Sequence, residues 1–145
     1  MVDQAGTRMW FSGFNGRTFA IGLAIKIDQA WQNQGAVIEA VEDLPYENTA
    51  VAQSAIYQSP QGIMMWYGGY DTSNTDPGPW RLLAAWSADG RTWERQGLAL
   101  DLSASGEEAW SVREPSVVLW KQHLWLAYIA MGDDGIYRLR LARCR

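Results

Sequence analysis

Met9-Trp10-Phe11-Ser12-Gly13 and Met65-Trp66-Tyr67-Gly68-Gly69 are near-copies of one another, 56 positions apart. A second apolar run follows each. Ile21-Gly22-Leu23-Ala24 corresponds to Leu82-Leu83-Ala84-Ala85, now offset by 61. Further on, Asp28, Trp31 and Gly35 align with Asp89, Trp93 and Gly97. The offset grows because the later copy carries a longer loop, Thr72 to Trp80. A third, partial copy closes the chain. Pro115-Ser116-Val117-Val118 stands 61 positions after Ser54-Ala55-Ile56-Tyr57, Tyr128 matches Tyr67, and Leu139-Arg140-Leu141-Ala142 matches the Leu82 run. Self-similarity at a fixed spacing marks an array of like modules. The unit is about 60 residues, so 145 residues hold two and a half to three of them.

Each unit reads as short strands between turns. Residues 63–69 are too short and too glycine-terminated for a helix, and residues 136–142 alternate Tyr137, Leu139 and Leu141 with Arg138, Arg140 and Ala142. Period two with aromatic and branched side chains is the pattern of a strand. Asn15-Gly16, Ser59-Pro60-Gln61-Gly62, Asp89-Gly90 and Asp133-Asp134-Gly135 are turns by their chemistry. Four antiparallel strands in such a unit, repeated, is the arithmetic of a β-propeller blade. With strands named A to D from the centre outward, a partial blade spans 1–45, a full blade 46–101 and a partial blade 102–145, all in one domain. The expected strands are B, C and D at about 9–13, 19–26 and 35–40. A full set follows at 52–58, 63–69, 81–87 and 95–100, then A, B and C at 114–120, 124–130 and 136–143. Val2 to Gln4 would be a stub of the first A strand. A β-sandwich with look-alike strands is the competing architecture.

Composition narrows the function. The chain has 12 Lys+Arg against 16 Asp+Glu, a net charge of −4, and 48% hydrophobic residues including nine Trp. No basic cluster is present to neutralise phosphates, which argues against a nucleic-acid partner. No apolar run reaches the roughly 20 residues of a membrane span, and Met1 to Arg8 has no secretory pattern. Cys144 is alone, so no intrachain disulfide forms and a cytoplasmic location is expected. One Cys and one His (His123) make neither a zinc nor an iron–sulfur site, and no metal or cofactor is expected. His123 reads as a turn residue and Cys144 as a strand or interface residue.

Three stretches then become familiar: Met65 to Gly69, Leu83-Ala84-Ala85-Trp86-Ser87-Ala88-Asp89-Gly90-Arg91-Thr92-Trp93, and Arg113-Glu114-Pro115-Ser116-Val117-Val118. Together they resemble one repeat of the five-bladed propeller glycosidases, the group of arabinanases, levansucrases, invertases and bacterial mannoside phosphorylases. Within that repeat Asp89 is expected to cap a turn, Gly90 to take a positive φ and Trp93 to pack between blades. Three blades cannot close a ring and would leave a sheet edge and a blade face bare. The expectation is a homodimer that completes a six-bladed ring, with a remnant of a longer enzyme as the alternative.

The resemblance also implies acids at the starts of the A strands, converging on the axis. Glu114-Pro115 is the one acid–proline pair of that kind; the matched position one blade earlier is Gln53, and Asp3 is the acid nearest the first blade. Glu114 is therefore the leading catalytic candidate, with Asp71 or Asp133 as a second carboxylate, because glycoside hydrolysis takes two. Arg113, Trp110, Trp80, Tyr70 and Gln53 are the ligand-binding candidates. The B–C and D–A loops bring further acids to the same rim: Glu42, Asp43, Glu47, Asp76, Glu107, Glu108 and Asp134, with Tyr46 among them. Carboxylates accept sugar hydroxyls and aromatic faces stack on the C–H face of a pyranose. The sequence thus favours carbohydrate binding on a glycosidase-like scaffold over catalysis. A protein-interaction propeller without enzymatic activity, and a hydrolase using Glu114, are the alternatives.

Overall fold

The computed structural model describes residues 2–3, 6–73 and 80–144. Every regular element among them is a strand. In chain order these are β1 (Val2–Asp3), β2 (Gly6–Phe14), β3 (Phe19–Ile27), β4 (Ala30–Ile38), β5 (Ala50–Ser59), β6 (Gly62–Tyr70), β7 (Trp80–Ser87), β8 (Glu94–Leu100), β9 (Ser111–Trp120), β10 (His123–Met131) and β11 (Tyr137–Arg143). They form three antiparallel sheets in chain order: β1-β2-β3-β4, β5-β6-β7-β8 and β9-β10-β11. The sheets stack face to face as blades, and the inner strand β5 adjoins both the first blade and β9. Val2–Asp3 does pair with the start of β2, at Thr7 and Gly6, so the stub lies where the first A strand is expected. Gln4 and Asp76 lie outside the described residues.

The middle blade is covered on both sides, and its sequence shows it. Along β6, Met65 and Tyr67 face the first blade while Trp66 faces the third; along β7, Leu83 and Ala85 face the first and Leu82 and Ala84 the third. One cluster joins Trp10, Ile21, Leu23 and Ile38 to Val51, Ile63, Met65 and Tyr67. The other joins Trp66, Leu82 and Ala84 to Val112, Leu126, Tyr128 and Ala130. Two-sided burial needs apolar residues at consecutive positions, which is why β6 and β7 read as unbroken apolar runs. In β11 only one face is covered, and the apolar–polar alternation returns.

The turn from Ser87 to Trp93 fastens blade two to blade one. Asp89 Oδ1 accepts the amides of Arg91 (2.8 Å) and Thr92 (2.9 Å), which holds its pKa below the usual carboxylate value. Ser87 Oγ accepts the Gly90 amide at 2.7 Å and donates to Thr92 O at 2.6 Å. Gly90 has φ +75°, and its carbonyl accepts Trp10 Nε1–H at 3.0 Å. Trp93 meets Trp10 edge to face, with centroids 6.1 Å apart at 86°. A Cβ on Gly90 would stand 2.7 Å from Trp10 Cζ2, so glycine is required twice, by the backbone and by the neighbouring blade.

The first D strand departs from expectation. It runs Ala30–Ile38 rather than about 35–40. Asp28 and Gln29 both take positive φ (48° and 69°) and close a two-residue hairpin, so the strand resumes at once. Asp28 and Trp31 are therefore not counterparts of Asp89 and Trp93; Trp31 is 47% exposed on β4. The alignment of Gly35 with Gly97 holds: both have positive φ (+92° and +82°) and both sit at a register shift of a D strand.

Two of the rim acids serve the fold. Glu47, 3% exposed, accepts Tyr67 O–H at 3.0 Å and Arg95 Nε–H at 3.1 Å. Sixty-one positions on, Glu108 accepts Tyr128 O–H at 2.6 Å and Arg140 Nε–H at 3.3 Å. Each clamp ties the loop entering an inner strand to the B strand beneath it. Burial, reinforced by the adjacent glutamates, raises both tyrosine pKa values, Tyr128 to about 12 and Tyr67 higher still.

This packing makes two variants and one titration informative. A Cβ added at Gly97 would meet no atom within 4 Å, so Gly97→Ala meets only the backbone strain of about 1–2 kcal/mol. Gly90→Ala adds the clash with Trp10, a further loss of about 1–3 kcal/mol; urea unfolding of the two variants measures the difference. The tyrosines give an alkaline signature. A phenol whose folded pKa is raised stabilises the fold fully below its unfolded pKa, near 10, and the contribution fades as pH climbs toward the folded value. Stability should fall between pH 10 and about 12, and a tyrosinate absorbance titration should show a late component that Tyr67→Phe with Tyr128→Phe removes.

Candidate functional site

The inner strands β5 and β9 each carry one irregularity at the same place in the repeat. Between the pairs Ala52↔Gly68 and Ala55↔Trp66, residues Gln53 and Ser54 share the single partner position of Tyr67. Between Arg113↔Ile129 and Ser116↔Ala127, Glu114 and Pro115 share that of Tyr128. At each bulge the first residue lies in the left-handed region, Gln53 at φ 61° and Glu114 at φ 55°. A non-glycine residue held there costs on the order of 1–3 kcal/mol, and such strain concentrates at functional sites.

The bulge amides are bonded from blade to blade. Gln53 N–H donates to Ser12 Oγ of the first blade at 2.7 Å. Glu114 N–H donates to Oε1 of Gln53 at 3.3 Å. Gln53 Oε1 also lies over Gly68, where a Cβ would come within 3.0 Å both of that oxygen and of Trp80 Cε3. Trp80 packs on Tyr70, centroids 5.1 Å apart. Glycine at 68 thus lets the amide oxygen and the indole share one spot. Ser12 and Gly68 are the residues that sequence reasoning misses; their matched place in the Met-Trp-aromatic repeat is the available signal.

Five candidates are gathered here: Gln53, Glu114, Arg113, Trp80 and Tyr70. The Glu114 side chain is half exposed, and Arg113 Nε stands 3.7 Å from its Oε1. The Arg113 guanidinium also lies 4.9 Å over the ring of Tyr137, which fixes its position. Asp71 and Asp133 are engaged elsewhere. Asp71, 2% exposed, accepts the Tyr46 amide at 3.0 Å and both the amide and hydroxyl of Ser73, at 2.8 and 2.6 Å. Burial works against its ionisation, but these bonds outweigh it and lower its pKa. Asp133 exchanges backbone and side-chain bonds with Gly106, each 3.2 Å. Trp110 stands just before β9 and is exposed, its amide bonded to Met131 O at 2.9 Å.

A polar cleft of about 610 Å³ lies among the loops that carry Arg17, Thr18, Glu42, Asn48, Thr49 and Thr72. Hydroxyl, amide and carboxylate groups of this kind suit a polyhydroxylated ligand. Asp134 instead pairs with Arg138 at 2.6 Å within its own hairpin. Its pKa is held near 2, chiefly by that arginine. His123 is the first residue of β10 rather than part of the two-residue turn Lys121-Gln122 before it, and its ring bonds to Lys121 O at 2.9 Å. Cys144 packs against the second core cluster. Among the described residues no group of three or more His, Cys, Asp or Glu is arranged to hold a metal ion, and no helix is long and apolar enough to cross a membrane.

No protein-family model matches the chain, and no curated protein does. Solved structures do. A family 117 glycoside hydrolase from the marine bacterium Zobellia galactanivorans superposes with a TM-score of 0.72 at 18% identity, over 87% of this chain and 38% of its own. A structure from the GH130 family of mannoside phosphorylases, which contains glycoside hydrolases that target beta-1,2 mannosidic linkages, gives 0.64 at 20% identity, over 75% and 35%. An exo-1,5-alpha-L-arabinanase from a bovine ruminal metagenomic library gives 0.67 at 8% identity, over 100% and 51%. The chain spans about a third to a half of the length of these proteins. It is an all-β, propeller-type stack of blades, built on the scaffold that these glycoside hydrolases share.

Proposed function

We propose that the chain binds carbohydrate at the rim where its inner strands begin. The observation that carries this is the pair of strained bulges at Gln53 and Glu114, set beside the Trp80–Tyr70 pair. A half-exposed carboxylate, an arginine held beside it and an aromatic ring supply acceptor, donor and stacking face to a sugar. Binding is favoured over hydrolysis because the matched inner-strand positions hold one carboxylate and one amide. An amide exchanges no proton at neutral pH, and glycosidic cleavage takes two carboxyl groups flanking the bond.

The likeness to glycoside hydrolases supports a second reading, in which Glu114 acts as general acid or base. Asp71 and Asp133 are then the available second carboxylates, and each would first have to leave the loop bonds that hold it. Calorimetric titration with arabino-oligosaccharides and beta-1,2-manno-oligosaccharides tests both readings. Binding by the wild type and a roughly tenfold loss in Trp80→Ala, about 1.4 kcal/mol, is expected. Absence of binding to every glycan at millimolar concentration overturns the proposal. Release of reducing sugar by the wild type but not by Glu114→Gln would establish the hydrolase reading instead.

A further inference from the structure

Each blade has one face toward the blade before it and one toward the blade after it, and the chain makes that contact twice with itself. Among the described residues, none packs on the onward face of the third blade. In β11, Leu139 pairs with Ile129 as Leu82 pairs with Gly68, and Leu141 pairs with Ala127 as Ala84 pairs with Trp66. The positions are equivalent, yet Leu82 is 0% and Ala84 8% exposed while Leu139 is 71% and Leu141 66% exposed. Val118 and Trp120 of β9 are exposed beside them.

The first blade presents the opposite face. Trp10, Ile21 and Leu23 turn toward the second blade, so Phe11, Gly13, Ala20 and Gly22 look outward. These residues and Ala36 line an open hollow of about 140 Å³, floored by glycine and alanine with Phe11 standing over Gly22. Large aliphatic side chains project from one end of the stack, and small residues leave a recess at the other. Contiguous exposed apolar surface of this kind marks an interaction site.

We propose that two copies of this chain associate head to tail, the Leu139–Leu141 face of one packing on the Phe11–Gly22 face of the other. The occupant is a second copy because the chain carries both halves of a contact that it already forms twice internally. Two such contacts related by a two-fold axis close on themselves, and neither blade face is left bare.

Sedimentation velocity with the full chain at about 100 µM tests this. The expected mass is twice 16.3 kDa. Leu139→Glu with Leu141→Glu should yield monomer with an unchanged far-ultraviolet circular dichroism spectrum. Ala36→Lys, at an exposed position on the other face, should do the same. Mixing the two variants should restore some association, because one intact contact is then available; a face that pairs with its own counterpart would gain nothing from mixing. A monomeric wild type, or a dimer that survives Ala36→Lys, overturns the proposal.

Discussion

A sheet in this chain can hide its apolar face only against another sheet, since the described residues supply no helix to do it. Everything else is arranged around that constraint. The middle blade meets it on both sides, and the Ser87–Trp93 turn makes the first contact specific by seating Trp10 against Gly90 and Trp93. Apolar burial provides the drive for stacking, while the indole hydrogen bond and the edge-to-face rings fix which blade sits where. The two Glu–Tyr–Arg clamps then hold the entering loops down, so that the inner strands start from a defined height.

Much of this is legible from residue order. The Met65 to Gly69 repeat locates the B strands, the unbroken apolar runs of β6 and β7 reflect their two covered faces, and the offset of 61 makes Gln53 and Glu114 counterparts. The first D strand is misplaced by sequence reasoning because Asp28-Gln29 looks like a fragment of the Asp89-Gly90 turn. Which residues of a turn take positive φ is decided by strand register, and neither aspartate nor glutamine announces it as glycine does.

The site is partly legible for a similar reason. Residue type and repeat position single out Gln53, Glu114, Trp80 and Tyr70. The destinations of the loop acids are hidden, because a carboxylate in a loop has the same sequence signature whether it faces solvent or caps its neighbours. Glu47, Glu108 and Asp71 are occupied by partners 20 to 48 residues away or by their own loop, and only folding brings those partners near. Glu114, by contrast, stays half exposed in a strained turn of backbone.

The bulge amides carry a consequence of their own. Ser12 holds the amide of Gln53, and the Gln53 side chain holds the amide of Glu114, so three blades are threaded by two bonds in series. The acid at the far end is thereby indexed to a hydroxyl two modules away. An alteration of Ser12, remote along the chain and chemically inert, would transmit as a shift in where Glu114 points. The placing of an acid in the last blade thus begins with a hydroxyl in the first.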